Sequence, residues 1–167
     1  MKKLLFFIIL AFSNLASKAQ YTYPKQTVWI DNGSLCNSYV FLYATSGGYP
    51  CTEYYIDIRS LFSTSTPPGT IAPGSPLPPI SNNTPIPGAI WYLGGTPIPA
   101  PPLSTYYFTG AELQFTSGCN AFSHWYCGIP CTGFPNPASV TTVPLCCGTA
   151  IEWSSAGPGT DATIILR

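Results

Sequence analysis

The sequence predicts an all-β domain, and three observations predict it. Helix signals are nearly absent, because 19 prolines and 15 glycines recur along the 167 residues and break any helical period. The longer windows between them are rich in Tyr, Ile, Val, Phe and Thr, which favour strands. Several of those windows alternate apolar and polar residues with the period of two that a half-buried strand requires.

Residues 1–19 stand apart. Lys2 and Lys3 precede an uninterrupted apolar run from Leu4 to Phe12, and Ser17 and Ala19 supply the small residues of a cleavage site, so this stretch reads as a secretory signal peptide. The run is far short of the roughly 20 residues that a membrane span needs, so no span is expected. Residues 20–167 then form a single domain of ordinary size. Only Lys25, Arg59 and Arg167 remain against Asp31, Glu53, Asp57, Glu112, Glu152 and Asp161, leaving a weakly acidic and almost uncharged chain. Such a composition excludes intrinsic disorder, which needs low hydrophobicity and high net charge. It equally excludes the basic footprint of a nucleic-acid binder.

The elements follow in order. Residues 27–31 form a strand that stops at Asp31-Asn32-Gly33, a turn-forming run that predicts a hairpin into the next strand. Residues 39–44 are apolar on both faces, as suits a central strand covered on both sides. Residues 53–59 alternate, with Tyr54, Ile56 and Ile58 facing one way and Glu53, Tyr55, Asp57 and Arg59 the other. Residues 111–116 turn Ala111, Leu113 and Phe115 inward, and residues 161–167 do the same with Ala162, Ile164 and Leu166. Residues 149–153 supply the penultimate strand, and Gly157-Pro158-Gly159 turns into the last one. Short strands punctuated by Gly and Pro point to an antiparallel β-sandwich of Ig-like kind.

Two segments fit this pattern least. Residues 60–105 form a Pro-rich, uncharged insertion that holds twelve of the nineteen prolines. Ordinary strands exclude them, so extended polyproline runs are expected, with one short strand around Ala89, Ile90, Trp91, Tyr92 and Leu93. Residues 117–148 form a cysteine-rich loop, expected to have little regular structure and to be stapled by disulfides. The disulfide candidates are Cys36, Cys51, Cys119, Cys127, Cys131, Cys146 and Cys147. Spacing suggests Cys36 with Cys51, Cys127 with Cys131, and Cys119 with Cys146 or Cys147. One cysteine is left over, as a buried thiol or as a covalent link to a neighbouring subunit.

The sequence offers no catalytic, cofactor-binding or metal-binding site, and no enzyme is expected. The single histidine, His124, sits among aromatic residues and cysteines and reads as packing. His124, Cys127 and Cys131 could approach a zinc set, but secretion favours disulfides and the zinc-ribbon spacing is missing. Glu53, Asp57, Glu112 and Asp161 fall on outward strand faces, where solvated charge is the default. Asn32-Gly33-Ser34 and Asn82-Asn83-Thr84 match glycosylation sequons. Eleven tyrosines and four tryptophans could build a sugar platform, for which Trp29, Tyr55, Trp91 and Trp125 are the candidates.

The layout of signal peptide, early Val28-Trp29-Ile30 strand, Cys36, the Tyr39 to Ala44 strand, Cys51, Pro-rich middle, Cys119 to Cys147 loop and Ile151-Glu152-Trp153 before a final strand resembles small secreted cysteine-containing β-sandwich proteins of Gram-negative environmental bacteria. Some of those resemble pilin-like subunits of extracellular fibrils. The resemblance implies a structural subunit, secreted to the bacterial exterior or cell surface, that pairs with copies of itself by strand addition. Its terminal strands would then carry the interface, through Tyr21, Tyr23, Val28, Ile30, Ile164 and Leu166. The alternative expectation is a carbohydrate-binding or adhesive surface module with glycans as partners.

Overall fold

A computed structural model describes residues 22–46, 54–75, 77–116, 124–129, 140–142, 150–156 and 159–167. Residues 1–21, which include the expected signal peptide and Tyr21, and five of the cysteines (Cys51, Cys119, Cys131, Cys146 and Cys147) lie outside the described residues. The fold is all-β. Its strands are β1 (Thr27–Asn32), β2 (Ser38–Ser46), β3 (Tyr54–Asp57), β4 (Ile80–Ser81), β5 (Ile90–Leu93), β6 (Thr96–Ile98), β7 (Tyr106–Phe115), β8 (His124–Gly128), β9 (Val140–Thr142), β10 (Ala150–Ser155) and β11 (Ala162–Leu166). One short 3-10 turn, Arg59–Phe62, follows β3.

The strands form two sheets. One runs β4-β1-β11-β10-β9 and the other β6-β5-β3-β2-β7-β8. All pairings are antiparallel except that of β1 with β11, where the first and last strands run side by side in the same direction. Period-two alternation supplies one buried face from each sheet. Ile30, Ile164 and Trp153 line up across β1, β11 and β10, while Val40, Leu42, Ile56, Ala111 and Leu113 come from the six-stranded sheet. All belong to one hydrophobic cluster. Burying side chains of this size, each contributing about 1.5–3 kcal/mol, is the main force that holds the two sheets together.

Three expectations change. Asp31-Asn32-Gly33 makes no hairpin, because β1 and β2 belong to different sheets. Asn32 is buried, and its side-chain amide donates to the carbonyls of Cys36 (3.1 Å) and Ile71 (2.9 Å), which steers the chain from one sheet to the other. The Pro-rich stretch is more than a polyproline insertion. It contributes β4, β5 and β6, and places Phe62, Ile71, Ile80 and Trp91 in the core. Pro97 is accommodated because β6 is an edge strand, where a missing N–H leaves no ladder bond unmade. Within residues 117–148, the described parts are the strands β8 and β9.

A second buried amide joins the sheets. Gln26, immediately before β1, receives the Phe108 N–H at its Oε1 (2.6 Å), and its Nε2 donates to the carbonyls of Phe108 (3.1 Å) and Thr160 (2.7 Å). Asn82 accepts the Gln26 N–H and donates to the carbonyls of Pro24 and Tyr106. Replacing Gln26 with Leu keeps the volume and strands the N–H and carbonyl of Phe108 in the interior, each worth about 1–3 kcal/mol. Gln26→Leu is expected to lower unfolding free energy by about 2–4 kcal/mol in urea titrations. A loss below about 0.5 kcal/mol, the scatter of neutral surface changes, would show that the amide is dispensable.

Candidate functional site

The outer faces of the two sheets differ in chemistry. On the five-stranded sheet the outward residues are mostly polar, Asp31, Thr163, Glu152 and Ser154 among them, with Trp29 exposed beside them. On the six-stranded sheet the outward face carries a cluster of aromatic residues. Pro97, Tyr92, Tyr55, Tyr43, Gly110 and Gly128 stand opposite one another in a transverse row from β6 to β8. The next row holds Ile90, Asp57, Phe41, Glu112 and Tyr126. Tyr55 stacks on Phe41 (5.2 Å between centroids) and meets Tyr43 and Tyr92 at 5.6 and 5.8 Å. The glycine end is flat by necessity: a Cβ on Gly110 would sit 2.5 Å from the Cys127 carbonyl oxygen, and one on Gly128 2.5 Å from that of Thr109.

Two polar centres flank the aromatic column of β2. The first is built by Asp57 and Arg59, whose spacing brings the guanidinium back onto the carboxylate. Arg59 Nε donates to both Asp57 oxygens (3.0 and 3.1 Å), and Nη2 donates to Oδ2 (2.7 Å). The guanidinium also lies over the rings of Phe41 (5.3 Å) and Tyr39 (5.7 Å). Nη1 makes no hydrogen bond among the described residues. Burial alone would raise the Asp57 carboxyl, but the hydrogen bonds and charge of Arg59 outweigh it and hold the group below its usual 3.8. This pair borders a groove of about 340 Å³ lined by Tyr39, Ser60, Ser63 and Ile90 among others.

The second centre lies two strands away. Glu112 accepts the Tyr43 hydroxyl at Oε2 (2.6 Å) and contacts His124 Nδ1 through Oε1. Glu112 is 6% exposed, whereas the His124 side chain is half exposed. Burial, then the bond to Glu112, pushes the Tyr43 phenol far up, so it stays a donor. Asp57 and Glu112 are outward-facing, as expected from the alternation, yet both are buried rather than solvated, because aromatic neighbours cover them. Phe41 stands between them in register.

The predicted site residues scatter over this frame. Of the sugar candidates, Tyr55 is in the aromatic layer and Trp29 is 42% exposed on the other sheet. Trp91 is 3% exposed, because its register with Ile56 turns it inward. Trp125 also turns inward, opposite Leu113, and packs against the core. Of the interface candidates, Val28, Ile30, Ile164 and Leu166 are buried in the chain's own core, since β1 and β11 pair with each other. Tyr23 packs edge-on against Tyr107. Cys36 is disulfide-bonded. Cys127, expected from its spacing to pair with Cys131, is a free and fully buried thiol. A covalent link to another subunit therefore does not run through it. His124 and Cys127 lie on opposite faces of β8 and cannot share one ion.

No protein-family model matches the chain, and no curated protein or solved structure is significantly similar to it. The chemistry of the aromatic face is therefore the ground for a functional reading. Sequence alternation missed Tyr39, Arg59, Glu112 and His124 as a group; the one available signal was that residues 39–44 are apolar on both faces.

Two outcomes follow from these groups. A depressed Asp57 pKa gives stability that is fully present above the unfolded value and lost as pH falls through the folded one. Urea midpoints of the native protein are expected to exceed those of Asp57→Asn at pH 6, with the gap closing below about pH 4; a gap of constant size contradicts the linkage. Burial pushes the Cys127 thiol up to about 12. It is therefore expected to escape maleimide labelling in the folded protein and to react in denaturant, and labelling under native conditions would refute this burial.

Proposed function

We propose that the protein is a secreted, non-catalytic surface module of a bacterium that binds carbohydrate on the outer face of its six-stranded sheet. The two sheets around a common core are read as a sandwich of Ig-like or pilin-like kind. The observation that carries the functional reading is the Arg59 guanidinium, clamped by Asp57 and laid over Tyr39 and Phe41 at the edge of a groove. Sugars combine an apolar ring face with hydroxyl groups. Half-buried tyrosines suit the first, and a preorganised fork of N–H donors suits the second. The charge of Arg59 is balanced by Asp57, which favours a neutral sugar over an acidic one.

A glycan array probed with the mature protein is the direct test, with hits expected among neutral glycans. Tyr39→Ala and Arg59→Ala are each expected to weaken binding about fivefold to tenfold, equivalent to one lost contact of about 1 kcal/mol. Trp29→Ala, on the opposite sheet, is expected to leave it unchanged. An array without hits rejects this reading.

Assembly into an extracellular filament or surface layer is the second reading. It is favoured by Ile90, Leu93 and Leu103, each 43–46% exposed within an uncharged stretch. Within one chain β1 and β11 pair with each other, and β6 is a three-residue edge containing Pro97. Electron microscopy and sizing of the purified protein separate the two readings: fibres favour assembly, and a persistent monomer removes it.

A further inference from the structure

We infer that Glu112 and His124 form a second hydrogen-bonding subsite for the same ligand, so that the face takes a chain of at least two neutral sugar units lying across β2. This inference rests on the carbohydrate reading of the Asp57 and Arg59 centre. The geometry is a register argument. Asp57, Phe41 and Glu112 stand directly opposite one another on β3, β2 and β7. Adjacent strands are about 4.8 Å apart, so the two carboxylate positions are about 10 Å apart across the sheet. Between them the layer is aromatic, with Tyr55 on one side of Tyr43 and Tyr126 on the other.

The two centres are complementary in hydrogen bonding. Arg59 offers donors only. Glu112 is held as an acceptor by the Tyr43 hydroxyl, so His124 donates its Nδ1 proton to Oε1 and keeps Nε2 as a lone-pair acceptor. Nε2 has no hydrogen-bond partner among the described residues, and the ring is half exposed beside Tyr126 and Gln114. A buried carboxylate that fixes the tautomer and aim of an exposed imidazole has no need to be there for core packing alone. A hydroxyl on a second sugar unit would donate to Nε2, while the first unit accepts from Arg59. The Asp57 and Arg59 centre is internally paired in charge, which again suits an uncharged chain.

The test uses the intact mature protein and the neutral cello-, xylo- and manno-oligosaccharide ladders of one to six units, with affinity read by calorimetry. Affinity is expected to rise from one unit to two or three and then level off. His124→Ala and His124→Phe, the second keeping the ring volume without the acceptor, are each expected to remove about fivefold of the affinity for chains of two or more units, the worth of one net hydrogen bond. Both variants are expected to keep the affinity for the single unit, which also reports that they are folded. If no ladder binds, the carbohydrate reading itself fails and this inference with it. If ladders bind with an affinity independent of length, or with a length dependence that both His124 variants retain, the second subsite is overturned while the first stands.

Discussion

The side chain of Gln26 is the constraint on which the arrangement of the two sheets depends. The strand β8 ends at Gly128, so the edge of β7 beyond that point has ladder groups with no strand beside them among the described residues. Gln26 supplies what a strand would: its amide accepts from the Phe108 N–H and donates to the Phe108 carbonyl. A side chain of one sheet thereby completes the hydrogen bonding of the other. The position is also where β2 and β7 slip out of register, between Tyr43 and Ala44. The slip lets Tyr43 face outward against Glu112 while Phe108 and Ala44 remain in the core. The aromatic face and the inter-sheet tie are thus two outcomes of one irregularity.

The same economy governs the charges. Six carboxylates and three cations in residues 20–167 leave little electrostatic material, and two of the carboxylates are buried on the aromatic face. Each is stabilised locally, Asp57 by three contacts from the Arg59 guanidinium and Glu112 by a hydroxyl and an imidazole. Buried charge without such partners would neutralise rather than persist. The exposed polar five-stranded face, in contrast, asks nothing special of its residues.

How far the sequence is legible varies with the kind of information. Alternation fixed the inward residues of β3, β7 and β11, because one face of each strand is apolar and the other is not. It failed where side chains do backbone work. Asn32 reads as a turn residue and Gln26 carries no signal, since a sequence pattern does not say which amide will find a carbonyl in another sheet. Prolines hid β6, because their penalty in a strand vanishes at an edge. The aromatic face was half visible in the double-sided apolarity of residues 39–44. Trp91 and Trp125 stand out by size yet turn inward, while Asp57 and Glu112 read as solvated outward charge yet are buried.

The two asparagines that tie the fold together are also the acceptor residues of its two glycosylation sequons, Asn32-Gly33-Ser34 and Asn82-Asn83-Thr84. Both are fully buried, and each donates its side-chain nitrogen to two backbone carbonyls. A glycan attached to either nitrogen would occupy the space where the sheets are joined. In a cell that modifies such sequons during translocation, the modification and this fold exclude each other, so the choice of expression host decides whether the native protein is obtained at all.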